Sequence, residues 1–329
     1  MNISFSTPIT NLRTSNGYGH AALYVVDSLK QLGHTVPFQD GKAPVQLNFS
    51  QPEFYKLHRD QYQISYTPWE STLLPEKWKY YMELCDEIWT TSDWCANIFE
   101  DNGFKNVKVY PHGIDPMWIP KKRSSSGKIK FLHVGEPAKR KAGQMVVDAF
   151  IELFGNNENY SLTIKADKQN TTRIYDKQRD GQILGLPNEH YSNIQIVTKE
   201  MTDAELVGLY QSHHVMLYPS YGEGFGFIPF QALATGMPTV CTSGWAHYEK
   251  YLGPLSIKSK MIDTPWPFAH PGKVLEPNYK HLLELMQDVA ANFNAYSGYY
   301  YTQSTKIHQD YKWIELTNNV FDPIFKKFS

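Results

Sequence analysis

The feature of this sequence that most constrains its fold is an alternation, run twice along the chain, of short apolar segments and helix-period stretches. Residues 3–5 read as a strand; Ala21, Leu23, Val26 and Leu29 then recur at helical spacing until Gly33-His34 stops the pattern. Strands follow near 45–48, 63–66 and 87–92, then a helix through Ile98 and Phe99 and a strand at 107–110. The pattern restarts with a strand at 129–134 and a helix at 143–154 that aligns Val146, Val147, Phe150 and Leu153. Strands at 162–164, 194–197, 215–218 and 238–241 alternate with helices at 202–212 and 227–235. Thr202 and Glu205 stand in capping-box spacing. From about residue 280 the chain reads as helical, and Tyr296, Tyr299, Tyr300 and Tyr301 are read as packing between the last helices. Strands alternating with helices predict an α/β chain with parallel sheets, here two doubly wound domains facing each other across a cleft.

The 329 residues suit two domains, and 41% hydrophobic with 20% charged residues excludes a disordered chain. Nowhere do 18 uncharged apolar residues run together, so no membrane-spanning helix is expected. No basic segment precedes an apolar one at the start, and Cys85, Cys95 and Cys241 are odd in number and lack metal-type spacing. Reduced thiols and a cytoplasmic location are expected. The net charge of −1 conceals a pattern of −4 over residues 1–120, +7 over 121–141 and −4 over the remainder. Arg123-Ser124-Ser125-Ser126-Gly127 reads as a linker, which divides the chain into residues 1–124, 125–305 and a last helix over 306–329.

The most informative stretch runs Tyr218-Pro219-Ser220-Tyr221-Gly222-Glu223-Gly224-Phe225-Gly226-Phe227-Ile228-Pro229-Phe230-Gln231 and on to Gly236-Met237-Pro238. A buried strand ends at Pro219, a loop with three glycines follows, and Pro229 suits the first turn of a helix that Gly236 ends. Glycines admit a ligand to the backbone, and free amides at a helix start suit a phosphate. Glu223 and Gln231 are placed to bond hydroxyls, but read alone the loop is better taken as a tight turn with a solvated Glu223.

Ser220-x-x-Glu223-Gly224-Phe225-Gly226, the helix with its Ala-x-Gly-x-Pro ending, and the preceding Thr202-Asp203-Ala204-Glu205-Leu206 segment resemble retaining glycosyltransferases of the GT-B fold, family four. The resemblance implies two Rossmann-like domains with the last helix crossing back to the first. It also implies sugar transfer from a nucleotide-diphosphate donor of UDP or GDP type, with no cofactor and no metal. The family carries Glu, seven residues, Glu, where the first contacts donor-sugar hydroxyls and the second grips the ribose. Here Glu223 matches the first and Gln231 departs from the second, leaving a hydrogen bond without charge. Gly135-Glu136-Pro137-Ala138-Lys139-Arg140-Lys141-Ala142-Gly143 is similar to the family's diphosphate-holding segment, which makes Arg140 and Lys141 the expected pair, with Lys139 beside them. Gly224, Phe225, Gly226 and Phe227 fall on the phosphate-side loop, and Lys165 on a nucleotide-contacting position.

In the first half Asn16-Gly17-Tyr18-Gly19-His20 occupies the place of the family's glycine loop, which puts Gly17 and Gly19 near the donor phosphates and His20 near the reacting centre; the plainer reading of His20 is a helix-cap or surface histidine. Tyr66-Thr67-Pro68-Trp69-Glu70 resembles an acceptor-bordering segment in which a Trp69 face stacks on a sugar and Glu70 orients or deprotonates a hydroxyl. Trp78 is read as a buried anchor, His112-Gly113-Ile114-Asp115 as hinge structure, and His213-His214 as structural, because neighbours on a strand point to opposite faces. The acceptor is a sugar, a small hydroxylated molecule or a modified DNA base. Compact members of the family occur in bacteriophage genomes, and the +7 block suits a phosphate backbone. The alternative of another class is a catalytically degenerate nucleotide-sugar-binding protein. No Gly-x-Gly-x-x-Gly follows the first strand to favour a dinucleotide-dependent oxidoreductase.

Overall fold

A computed structural model describes residues 1–8, 17–136, 138–166 and 191–328. The chain divides into two compact units, Met1–Asp115 with Tyr311–Ser329, and Pro116–Asp310. Both are parallel-sheet α/β units.

In the first unit β1 (Ile3–Ser6), β2 (Val45–Phe49), β3 (Tyr62–Tyr66), β4 (Glu87–Thr90) and β5 (Lys108–Val109) form one parallel sheet in that order. Residues 35–38 lie along the other edge of β1 through the parallel bridges Asn2↔Thr35 and Phe5↔Phe38. The chain thus leaves β1 on one side through α1 (Gly17–Gln31) and resumes at β2 on the other, so the carboxyl end of β1 is a topological switch point. Phe5, Phe49, Tyr66 and Tyr110 form a row of ring contacts that continues to Phe321 of the C-terminal helix (Trp313–Lys327). Helix α2 (Glu76–Met82) and helix α3 (Asp93–Asp101), capped by Ser92, close over Trp69, Leu74, Trp78 and Phe99.

Two local expectations shift here. Gly17, Tyr18, Gly19 and His20 are the first turn of α1 and not a loop; Thr14, Ser15 and Asn16 lie outside the described residues. The buried face of α1 is Ala21, Ala22, Val25, Ser28 and Leu29, while Leu23 is 44% exposed. Small residues let the helix approach the sheet closely, a preference that apolar periodicity does not register.

In the second unit the sheet order is β11 (Ser256–Ile257), β10 (Thr239–Thr242), β9 (Val215–Tyr218), β6 (Ile129–Val134), β7 (Tyr160–Lys165), β8 (Ile194–Val197), all parallel. From β6 the chain runs through α4 (Gly143–Phe154) to one side; α5 (Asp203–Ser212), with its Thr202–Glu205 capping box formed, returns it to β9 on the other. The carboxyl ends of β6 and β9 are therefore the switch point of this unit. Helix α6 (Phe227–Ala234) follows β9, an antiparallel hairpin β12 (Ser259–Asp263) with β13 (Lys273–Pro277) follows β11, and α7 (Tyr279–Ala291) and α8 (Phe293–Asp310) complete it.

Residues 116–124, assigned from sequence to the first domain, belong to this unit. Arg123 explains why. Its guanidinium is buried and donates to the carbonyls of Tyr210 (3.1 Å), His213 (2.9 Å) and Thr235 (2.7 Å), where α5 and α6 end. A cation there satisfies carbonyls that have no partner within their helices and meets the negative ends of both dipoles. The supposed linker is an anchor, and a basic residue counted toward an anion site is consumed by the fold.

Candidate active site

The site of the second unit assembles where β6 and β9 end. After β6 a tight turn, Lys139–Lys141, carries three consecutive cations, and after β9 the loop 219–226 carries Glu223. Parallel pairing of β6 with β9 brings these ends side by side. Glu223, 5% exposed, receives Lys141 Nζ at 2.7 and 2.8 Å on its two oxygens. Arg140 Nη1 stands 3.0 Å from Oε1. Ser220 Oγ (2.8 Å) and Tyr218 OH (2.9 Å) donate to the same oxygen. Burial on its own would raise the carboxyl pKa; the charges of Arg140 and Lys141 and these hydrogen bonds outweigh it and hold Glu223 down at about 2. Glu223 is thus a fixed carboxylate between two fixed cations, and not a solvated loop residue. Lys139 is half-buried in the same turn; Pro137 lies outside the described residues.

Beneath the cluster, His133 is buried against Tyr218, with Nδ1 2.9 Å from the Leu217 carbonyl oxygen. Burial pushes its pKa down to about 4, aided by Lys141 and opposed by the Leu217 contact. A histidine lowered in the folded state favours folding fully above its ordinary pKa near 6.5 and loses that contribution as pH falls toward 4. The amount is about 3 kcal/mol. Denaturant unfolding at pH 7 and pH 4.5 should show His133→Gln losing less stability over that interval than the wild type.

The loop is held by aromatic walls. Gly226 has φ +79°, and a Cβ there would sit 2.6 Å from the Trp245 ring and 2.7 Å from Tyr248 OH. Phe225 is buried against Phe227, Phe230 and Tyr248. Gly226→Ala would combine left-handed strain with overpacking, about 1–3 kcal/mol. Its expected signature is a lowered melting temperature, since the start of α6 must move. Gly224 is buried in the loop, Gln231 is buried one turn into α6, and Lys165 ends β7 with Nζ donating to the Ala166 carbonyl (2.9 Å).

In the first unit, His20 Nε2 lies 2.7 Å from Asp115 Oδ2, and Trp313 Nε1 donates to Asp115 Oδ1 at 3.0 Å. Asp115 is 1% exposed. A carboxylate only accepts, so the pair is made by an N–H at Nε2 of His20 turned to Asp115. Trp313 is stacked on Tyr24 and leaves room only for glycine at 113, where a Cβ would meet its ring at 2.5 Å. His20 is therefore neither a cap nor a surface residue, and in the segment read as hinge structure Gly113 packs on Trp313 while Asp115 meets both His20 and Trp313. Trp69 does not offer a stacking face: it is 5% exposed, edge-on to Trp78 at 4.5 Å, with Nε1 donating to the Leu73 carbonyl (2.9 Å). Glu70 beside it is half-buried, and Tyr18 OH bonds Thr67 Oγ1 at 3.1 Å. Gly17 is exposed and Gly19 buried at the start of α1.

Asp115, Trp313, Tyr218 and Ser220 were not singled out as site residues. Tyr218 and Ser220 stand in the stretch that carries the motif and Asp115 in the segment read as hinge structure, whereas Trp313 carries no signal in the sequence. His213 and His214 are structural as expected, bonding Thr163 Oγ1 and the Lys130 amide. Among the described residues no group of three or more His, Cys, Asp or Glu could hold a metal ion, and no helix is long and apolar enough to cross a membrane.

Residues 115–253 match the family model described as glycosyl transferases group 1. Solved structures share the fold over nearly the whole chain. Sucrose-phosphate synthase from Thermosynechococcus elongatus matches with a TM-score of 0.72 at 13% identity, covering 99% of each chain. A glycosyltransferase from Rickettsia africae gives 0.69 at 13%, covering 99% of this chain and 98% of its own. A UDP-forming trehalose-phosphate synthase from Burkholderia xenovorans gives 0.64 at 13%, covering 98% of each. The two-unit α/β architecture is the GT-B fold, as the sequence led us to expect. No curated protein matches the chain.

Proposed function

We propose that the protein, a glycosyltransferase by its group 1 domain and GT-B fold, moves a sugar from a nucleotide-diphosphate donor to a hydroxyl acceptor with retention at the anomeric carbon. The observation that carries this reading is Glu223 clamped by Arg140 and Lys141 at the switch point of the second unit. Two cations against one carboxylate leave a net positive charge where a diphosphate would seat, beside the amides that open α6. As the bond from the anomeric carbon to the phosphate oxygen breaks, negative charge grows on the diphosphate, and fixed cations stabilise it without a metal. Glu223 then takes hydrogen bonds from the donor sugar's hydroxyls. In a front-face reaction the acceptor oxygen bonds to the anomeric carbon while its proton passes to the leaving phosphate oxygen, so no protein nucleophile is needed. Lys165 and Gln231 are assigned to the nucleotide, and His20 and Glu70 to the acceptor side.

A thermal-shift panel of nucleotide sugars, followed by mass spectrometry of sugar acceptors and of hydroxymethylated DNA, tests the reading. One donor should stabilise the protein and yield a transfer product. Donor binding with neither hydrolysis nor transfer would instead mark a nucleotide-sugar-binding protein. Arg123, spent on carbonyls, and Arg140 and Lys141, assigned here to the donor, take three cations of the basic block away from a DNA acceptor.

Gln231 gives a separate check. If it bonds the ribose, Gln231→Glu converts a neutral hydrogen bond to a charge-assisted one of roughly twice the strength. Donor KM should fall by about fivefold with kcat little changed, and an unchanged KM rules out the ribose assignment.

A further inference from the structure

The strands of the first unit alternate in an unusual way. One face of β1, β2 and β3 is apolar, but the other carries two in-register rows, Ser4–Gln46–Gln63 and Ser6–Asn48–Ser65, all buried. Within them Ser4 donates to Gln46 (3.2 Å), Gln46 to Asn48 (2.9 Å) and Asn48 to Gln63 (2.9 Å). Residues 50–61 cover this face: Gln46 donates to the Lys56 carbonyl, Gln63 to that of His58 (2.8 Å), and Tyr55 OH bonds Ser65 Oγ (2.7 Å). Buried polar groups are normally satisfied, and this network follows the rule up to its last member. Ser6 Oγ, at the carboxyl end, has no partner.

The segments leaving the three strands repeat that deficit. Thr7 Oγ1 after β1, Glu53 Oε2 after β2 and Ser71 Oγ after β3 are buried atoms without a hydrogen-bond partner. Because β1, β2 and β3 are neighbours, these segments emerge side by side, at the edge where ligands of open α/β sheets bind. Tyr18, bonded to Thr67 there, has its pKa raised by burial, and Glu53 after β2 and Glu70 after β3 stand on the segments that emerge at this edge.

We propose that this edge binds the acceptor by its hydroxyls, and that Glu53 with Glu70 restricts the acceptor to polyols without negative charge. Unsatisfied buried hydroxyls at Ser6, Thr7 and Ser71 fit a hydroxyl-rich partner, which donates and accepts at the same groups. Two carboxylates on the same segments repel a phosphate. The inference rests on the transferase reading and adds the acceptor's charge class to it. Neutral hexoses (glucose, mannose, galactose), their 6-phosphates and the corresponding 2-amino sugars are offered with the donor that stabilises the protein. Neutral or amino sugars should be glycosylated with kcat/KM at least tenfold above the phosphorylated counterpart. Glu53→Gln should narrow that ratio severalfold while leaving donor KM unchanged, and Ser71→Ala should raise acceptor KM alone. A wild type that prefers 6-phosphates, a panel in which no sugar is glycosylated, or a ratio unmoved by Glu53→Gln overturns the proposal. Donor hydrolysis without acceptor, measured alongside, reports separately whether the transferase reading itself stands.

Discussion

Glu223→Ala is expected to abolish sugar transfer, a fall of at least about a thousandfold in kcat/KM, and to destabilise the second unit at the same time. The two effects have different origins. On the proposed reading, removing the carboxylate deletes the acceptor for donor hydroxyls, and it also leaves buried Arg140 and half-buried Lys141 without their anion. Breaking a buried pair by deleting one partner costs about 3–5 kcal/mol, because the remaining charge is uncompensated. A polyanion should restore part of the stability but not the activity. Pyrophosphate should raise the melting temperature of Glu223→Ala more than that of the wild type, since in the variant both cations are free to bind it. Equal shifts would mean that Arg140 and Lys141 do not form the diphosphate seat. Glu223→Gln, which keeps the volume and loses the charge, should fall between the two in stability while remaining inactive.

Asp115→Asn should lower kcat by about two to four orders of magnitude with little change in donor KM. The carboxylate 2.7 Å from His20 Nε2 sets which ring nitrogen carries the proton and how the ring is turned. An amide can present its NH2 instead, which lets Nε2 accept and so removes the fixed N–H contact that orients the ring. Loss of this size accompanies a comparable exchange in the serine-protease triad. The proposed reading makes Asp115 a positioning residue acting through His20, and the measurement that isolates it is a double-variant comparison. His20→Ala and the double variant should be equally impaired, because residues acting as one unit are not additive. Independent, multiplying losses would show that Asp115 acts by holding the segment 112–115 in place and not through the imidazole.

What could be read from the sequence is whatever short-range geometry dictates. Strand and helix periods, the Thr202–Glu205 capping box, the glycine loop before α6 and the doubly wound order of both units follow from spacings of two to four residues and from right-handed crossovers. The motif around Glu223 was legible for the same reason. The period-two rows of Ser, Gln and Asn in β1 to β3 were also on view, but strand propensity alone does not say that both faces are covered. Only the tertiary structure decided which charges meet. Lys141 reaches Glu223 across 82 positions because the sheet order sets β6 beside β9. Trp313 reaches Asp115 across 198 because the C-terminal helix packs on the first unit. Arg123 left the basic block for the ends of two helices, and Trp69 left the acceptor edge for the core. Local conformation is set by the residue and its near neighbours, whereas the partner of a buried charge is set by strand order and helix packing, which bring together segments that carry no mark of one another.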